Sequence, residues 1–213
     1  SMDNKNKRQA VITGDIANSQ QLSNTDLAHV LEVLTNELKE QSAIYNGQYD
    51  VFRGDAFQVV IPESESAMLV AICIRLALKA CSPATDVRIS VGVGKVSFTD
   101  GKVKTGNGDA FVRSGRTLDS LKSQYLAFSS DNEAFNKHAS LLTAFVDSHI
   151  TSLTQTQSET LLAYIKAEDK GHENIANTLG KNRSNITRIL NASQYHLVNN
   201  YLDYMATEVE TEQ

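Results

Sequence analysis

The chain has 213 residues, 41% hydrophobic and 21% charged. That is enough apolar material to bury a core, with room for one ordinary domain and a small one, and it excludes an intrinsically disordered chain. The net charge of −5 excludes coating of nucleic acid by the whole surface, although a local basic face is still allowed.

Residues 9–16 read as a buried strand that ends at Gly14-Asp15. After a polar loop, Ser23-Asn24-Thr25-Asp26 opens a helix with a cap signature, and Leu27, Val30, Leu31, Leu34 and Leu38 give it an apolar stripe. Residues 43–52 and 56–61 read as two strands joined by the turn Arg53-Gly54-Asp55, with Pro62 ending the second. Residues 64–81 form a helix that is apolar over a broad arc and so packs on a sheet. Arg75 and Lys79 interrupt it, and it is too short to cross a bilayer. Its cysteines, Cys73 and Cys81, are about 12 Å apart along such a helix. They are too far apart to bridge and read as reduced core thiols of a cytoplasmic protein.

Residues 87–93 alternate as a strand, and 98–108, with Gly101, Gly106 and Gly108, read as a loop or short hairpin. A helix from Asp109 to about Lys122, a strand from Gln124 to Ser129 and a helix over 132–149 follow. The order is β-α-β-β-α-β-α-β, an α+β pattern that predicts one sheet with helices packed on it. The Ser/Thr/Gln-rich stretch 148–158 marks a boundary, and Thr154 with Gln157 fits a capping box for the next helix.

Two aspartates at strand ends carry the candidate chemistry. Asp15 closes the first strand, and Asp55 lies in the hairpin turn Arg53-Gly54-Asp55-Ala56-Phe57. A hard divalent cation such as Mg²⁺ takes one or two carboxylates from protein, the rest of its shell coming from phosphates and water. In a single sheet the hairpin tip can lie beside the end of strand one and bring the two together. Taken singly, each Gly-Asp step is also an ordinary turn.

The block from Asp15 to Lys122 resembles the class III nucleotidyl cyclases and the related GGDEF cyclases. The resemblance rests on Asp15-Ile16, on Gly54-Asp55-Ala56-Phe57, on the strand Arg88-Ile89-Ser90-Val91-Gly92-Val93-Gly94 and on the helix Gly108 to Leu118. More narrowly, Ile12-Thr13-Gly14-Asp15-Ile16 with Arg53-Gly54-Asp55-Ala56-Phe57-Gln58 is similar to the SatD family. The resemblance implies a ferredoxin-like palm over 8–150 that works as a homodimer. It also implies Mg or Mn held by Asp15 and Asp55, a transition-state arginine at Arg116, and a nucleotide held by Arg53, Gly54 and Lys122. Three positions depart from the cyclase pattern. Val51 stands where a base-selecting Lys or Glu is expected, Val112 where an Asn is expected, and Ala56 where GGDEF enzymes carry a second acid. The departures imply a nucleotide-binding domain with degenerate catalysis. The alternative is an active metal-dependent cyclase or related phosphoryl-transfer enzyme with accessory C-terminal helices.

Residues 159–205 read as four short helices, and 173–190 resemble a helix-turn-helix within an all-α domain over 152–206. Ala176 lets a second helix cross closely, and Gly180 suits a left-handed helix end. Lys181, Asn182, Arg183, Ser184, Asn185, Thr187 and Arg188 are the expected DNA contacts. From residue 152 onward five Lys or Arg stand against eight Asp or Glu, so the cations matter only where they cluster, at 181, 183 and 188. The expectation is a cytoplasmic, homodimeric, DNA-binding transcriptional regulator with a nucleotide-sensing palm and no membrane partner.

Overall fold

The structure is a computed structural model, and it describes residues 8–98 and 106–211. Gly101, one glycine of the expected hairpin, lies outside them. The central strand β1 (Arg8–Ile16) pairs antiparallel on one side with β3 (Ala56–Ile61) and on the other with β4 (Val87–Lys95). The hairpin partner β2 (Gln48–Phe52) forms one edge. A strand over Leu126–Ser130 forms the other edge and runs parallel to β4. With the short pair β5 (Ser97–Phe98) and β6 (Gly106–Asn107) counted in chain order, that edge strand is β7, and the sheet order is β2-β3-β1-β4-β7. This is the α+β architecture expected from the element order.

On one face of the sheet lie α1 (Asn24–Tyr45) and α2 (Ala67–Ala80). Ser23 caps α1 by accepting from the Asp26 amide at 3.1 Å. The helix does not stop before residue 43, where a strand was expected. It continues to Tyr45 and ends at Asn46 in the left-handed conformation. Ile44 is therefore an exposed helical residue and not part of β2. Eleven of the fourteen residues of α2 are buried, because the sheet covers one side and C-terminal helices cover the other. Cys73 is fully buried, which pushes its thiol pKa up, and Cys81 is free and half-buried.

The opposite face carries α3 (Asp109–Ser120). Its close approach depends on Gly92, where a Cβ would lie 2.6 Å from the Ala110 carbonyl oxygen and the Ser114 amide. A buried hydroxyl chain ties the layers together: Ser90 Oγ donates to the Ser114 carbonyl at 2.5 Å, and Ser114 Oγ donates to Thr13 Oγ1 at 2.6 Å.

The helix expected over 132–149 runs further, as α4 (Glu133–Ser152), leaving only Leu153 and Thr154 before α5 (Gln155–Lys166). Thr154 and Gln157 form the capping box. Then come α6 (His172–Leu179), α7 (Arg183–Ala192) and α8 (Tyr195–Thr211). One hydrophobic cluster runs from the sheet through α2 into these helices, taking in Leu161, Tyr164, Ile186, Leu190 and Met205. Polar bonds cross the same seam. Lys166 Nζ meets Glu37 Oε2 at 2.7 Å and Glu40 Oε2 at 2.9 Å, which fastens α5 to α1. Arg75, wholly buried in α2, binds Asp86 and Asp147 and donates to Thr151.

Candidate nucleotide and cation site

Side chains alternate across β1, so Val11, Thr13 and Asp15 share the face that carries α3. Val11 packs with Ala110 and Phe111, and Thr13 meets Ser114, so Asp15 emerges on that face at the strand's C-terminal end. The β2–β3 hairpin places Asp55 beside it. The Ile16 amide donates to the Asp55 carbonyl oxygen at 3.0 Å, and Asp15 lies opposite Ala56 in the register. The two carboxylates line one open cavity of about 250 Å³ with Ala17, Asn18, Ser19 and Arg88.

Within this cavity Ser19 Oγ donates to Asp55 Oδ2 at 2.8 Å. Arg88, opposite Asp15 on β4, brings Nη1 to 3.8 Å from Asp15 Oδ2. Its Nη2 donates to the Leu118 carbonyl at 3.0 Å, so the same guanidinium caps the C-terminal turn of α3. Burial pushes the Asp15 carboxyl above its ordinary range, Arg88 pulls it back, and the negative charge of Asp55 raises it again. Asp15 thus carries a charge that its surroundings only partly compensate.

Among the described residues no group of three or more His, Cys, Asp or Glu forms a ready-made metal cage. The donor set is two aspartates and a serine hydroxyl, with Arg88 beside them. This set fits Mg²⁺ or Mn²⁺ only if the ion arrives with phosphate oxygens that complete its shell.

The other expected ligands are spread around this centre. Arg53 and Gly54 are exposed at the hairpin tip, both in the left-handed region with φ of 56° and 79°, and Arg53 lies over the Phe52 ring at 5.7 Å. Arg116 is exposed on the last turns of α3, the end that Arg88 ties to the Asp15 side of the sheet. Lys122 is exposed just after it. None of these four lines the cavity. The residues that sequence reasoning missed are Arg88 and Ser19. The signal for Arg88 was present in the alternation Arg88-Ile89-Ser90-Val91, which puts Arg88 on the face of Ser90 and not in the core.

In the C-terminal helices, α6 ends at Gly180 with φ 65°, and α7 begins after Asn182. Asn182 Oδ1 accepts from the Asn185 amide and from Ser184 Oγ, both at 2.8 Å, so its side chain caps α7. Thr187 Oγ1 bonds His172 Nδ1 at 2.7 Å and clips α7 to α6. Arg183, Ser184, Asn185 and Arg188 are exposed, and Lys181 is half-buried at the turn. No described helix is long and apolar enough to cross a membrane.

No family model matches the chain, and no curated protein matches it. Solved structures do. The monomeric guanylyl cyclase domain of the RhoGC fusion protein from the aquatic fungus Blastocladiella emersonii is 20% identical. It covers 58% of this chain and 81% of its own, with a TM-score of 0.48. The adenylyl cyclase CyaB from P. aeruginosa is 17% identical over 58% of this chain and 76% of its own, also at 0.48. The guanylyl cyclase Cya2 is 16% identical over 62% and 78%, at 0.46.

Proposed function

We propose that this chain is a nucleotide-sensing, DNA-binding regulator of the SatD type. Its palm takes a nucleoside triphosphate together with Mg²⁺ or Mn²⁺ at Asp15 and Asp55, and α6 and α7 read DNA. The observation that carries the first half is the convergence of Asp15 and Asp55 on one cavity with Arg88 at its wall. Two carboxylates hold the ion, and Arg88 and Ser19 face the phosphate oxygens. The ion, when bound, neutralises phosphate charge. Arg53 reaches from the exposed hairpin and Lys122 from the end of α3 towards the terminal phosphates. Val51, Val112 and Ala56 replace groups that a cyclase uses for base selection and catalysis, so binding outlives turnover. The ligand acts on DNA affinity by favouring one arrangement of a homodimer.

Calorimetric titration of Mn²⁺ with ATP or GTP tests the palm. Binding is expected in the wild type, at least tenfold weaker in Asp15→Asn and Asp55→Asn. Absence of binding overturns the reading. The intact carboxylate pair keeps one competing reading in play, an active cyclase. Chromatography of the same incubations decides it: a cyclic product that disappears in Asp15→Asn assigns catalysis. Gel-shift titration of promoter fragments with and without nucleotide tests the coupling.

A further inference from the structure

Of the seven large hydrophobic side chains that stand exposed among the described residues, five lie on two helices, α4 and α8. They are Leu141 at 61%, Leu142 at 39%, Phe145 at 69%, Leu197 at 63% and Tyr204 at 36% exposure. The two helices are antiparallel neighbours. The Phe135 and Tyr204 rings are 6.5 Å apart, Thr143 Oγ1 and Tyr201 Oη 2.7 Å, and His149 Nε2 lies 2.7 Å from the Ser193 carbonyl oxygen. Between them runs a groove of about 630 Å³ walled by Leu142, Phe145, Val146, Leu197, Tyr201 and Tyr204.

Charge is missing from both walls. Neither residues 138–146 of α4 nor residues 195–202 of α8 contain Lys, Arg, Asp or Glu. Exposed aromatics and leucines without charge are the composition of an interface core and not of a solvated face. Five side chains of roughly 200 Å² each, about half exposed, offer roughly 500 Å² of apolar surface, near the top of what monomers leave uncovered. A rim of His138, Gln194 and Asn200 brings the patch towards the ~800 Å² per partner of a standard interface.

We propose that a second copy of this chain covers this face, α4 and α8 of each protomer forming a two-fold, four-helix arrangement. Phe145 and Leu197 stand on opposite walls of the groove and are its two most exposed large hydrophobic side chains, so an isologous contact would pack each against the same patch of a second copy. Antiparallel helix pairs of this kind stack at about 20° in four-helix bundles. No cation on the patch would draw nucleic acid to it. None of its residues lines the cavity of Asp15 and Asp55, so nucleotide binding does not depend on this face, whereas the proposed coupling to DNA rests on a homodimer that this face would form. Because α7 leads into α8 through Ser193 and Gln194, the contact would place two copies of α7 in one particle.

Sedimentation equilibrium of the full chain tests this from about 1 to about 100 μM, where a standard-size interface of ordinary affinity fills. The wild type is expected at twice the chain mass. Phe145→Glu and Leu197→Glu are expected to weaken association at least 100-fold while keeping the wild-type circular dichroism spectrum. Phe145→Ser, which removes the ring without adding charge, is expected to weaken it at least tenfold and serves if a glutamate variant does not fold. A wild-type monomer throughout the range overturns the proposal, whatever other partner takes the face. So does a dimer that persists in the folded variants, since it would use another surface. Nucleotide titration of the same variants keeps failure here distinct from failure at the palm.

Discussion

Arg88 and Asp15 face each other across the β1–β4 pair, with Nη1 3.8 Å from Oδ2. The same guanidinium holds the last turn of α3 through the Leu118 carbonyl. Opening this contact to admit a cation at Asp15 would therefore act on α3 as well.

Two substitutions should move the Asp15 titration in opposite directions. Arg88→Met removes the group that lowers its pKa and should raise it further, whereas Asp55→Asn removes a neighbouring charge and should lower it. Carboxyl-carbon NMR of Asp15 against pH reads both. The linkage has a definite sign. A carboxyl with a folded pKa above its unfolded 3.8 costs stability once pH rises through 3.8 towards the folded value, and the cost persists above it. Asp15→Asn should therefore melt higher than wild type at pH 7, and the difference should vanish below 3.8. A melting point unchanged or lowered at pH 7 would mean that the carboxylate is adequately paired and has no need of a cation.

Arg53 holds a left-handed backbone, φ 56°, that costs a non-glycine residue roughly 1–2 kcal/mol at an exposed turn. Arg53→Gly should stabilise the chain by about 0.5–1 kcal/mol, after the entropy of the added glycine is subtracted. If the guanidinium also binds phosphate, nucleotide affinity should fall as stability rises. Denaturant melts and calorimetry on one preparation separate the two effects. A stability gain with unchanged affinity would reduce Arg53 to a turn residue.

The placement of Asp15 and Asp55 was legible because it follows from strand alternation and one hairpin, both local. The end of α1 was not. Ser42-Ala43-Ile44-Tyr45 suits a strand as well as a helix, and only the left-handed Asn46 settles where the helix stops. The broad apolar arc of α2 predicts packing on a sheet, but the C-terminal helices that cover its other side are not legible in it. What covers it depends on contacts such as Lys166 with Glu37, 129 positions apart, which leave no periodic trace. For Arg88 the alternation gives the face, but its partner Asp15 lies on a strand 73 positions earlier and is known only once the strands pair.

Among the described residues Arg75 is the largest fully buried side chain. It joins α2 to Asp86 ahead of β4 and to Asp147 on α4, with Tyr125 beneath its guanidinium at 5.1 Å. Burial already pushes Asp147 up, and Arg75 is the main group that pulls it down. Arg75→Met should cost about 3–5 kcal/mol at pH 7, because it strands two carboxylates. The cost should shrink at acid pH, where Asp147, whose carboxyl burial already pushes up, takes up a proton. Urea unfolding at neutral and acid pH checks this, and equal losses at both would mean that the packing of the side chain, not its charge, is what matters.

The exposed cations of α7 can be told apart from its structural residues. Asn182 caps the helix and Thr187 clips it to His172, so Asn182→Ala should lower stability by about 1 kcal/mol. Arg183 and Arg188 are exposed, and no ion pair holds either among the described residues. Their alanine variants should leave the melt unchanged. If each contacts a phosphate, its loss should weaken DNA binding and reduce the slope of log K against log salt by about 0.9. A residue that reads a base edge behaves differently: its alanine variant loses affinity for one operator more than for random DNA. Gel shifts at three salt concentrations, on specific and random fragments, distinguish these outcomes. Full retention of binding and of the salt slope in the double variant would remove α7 as the DNA-reading helix.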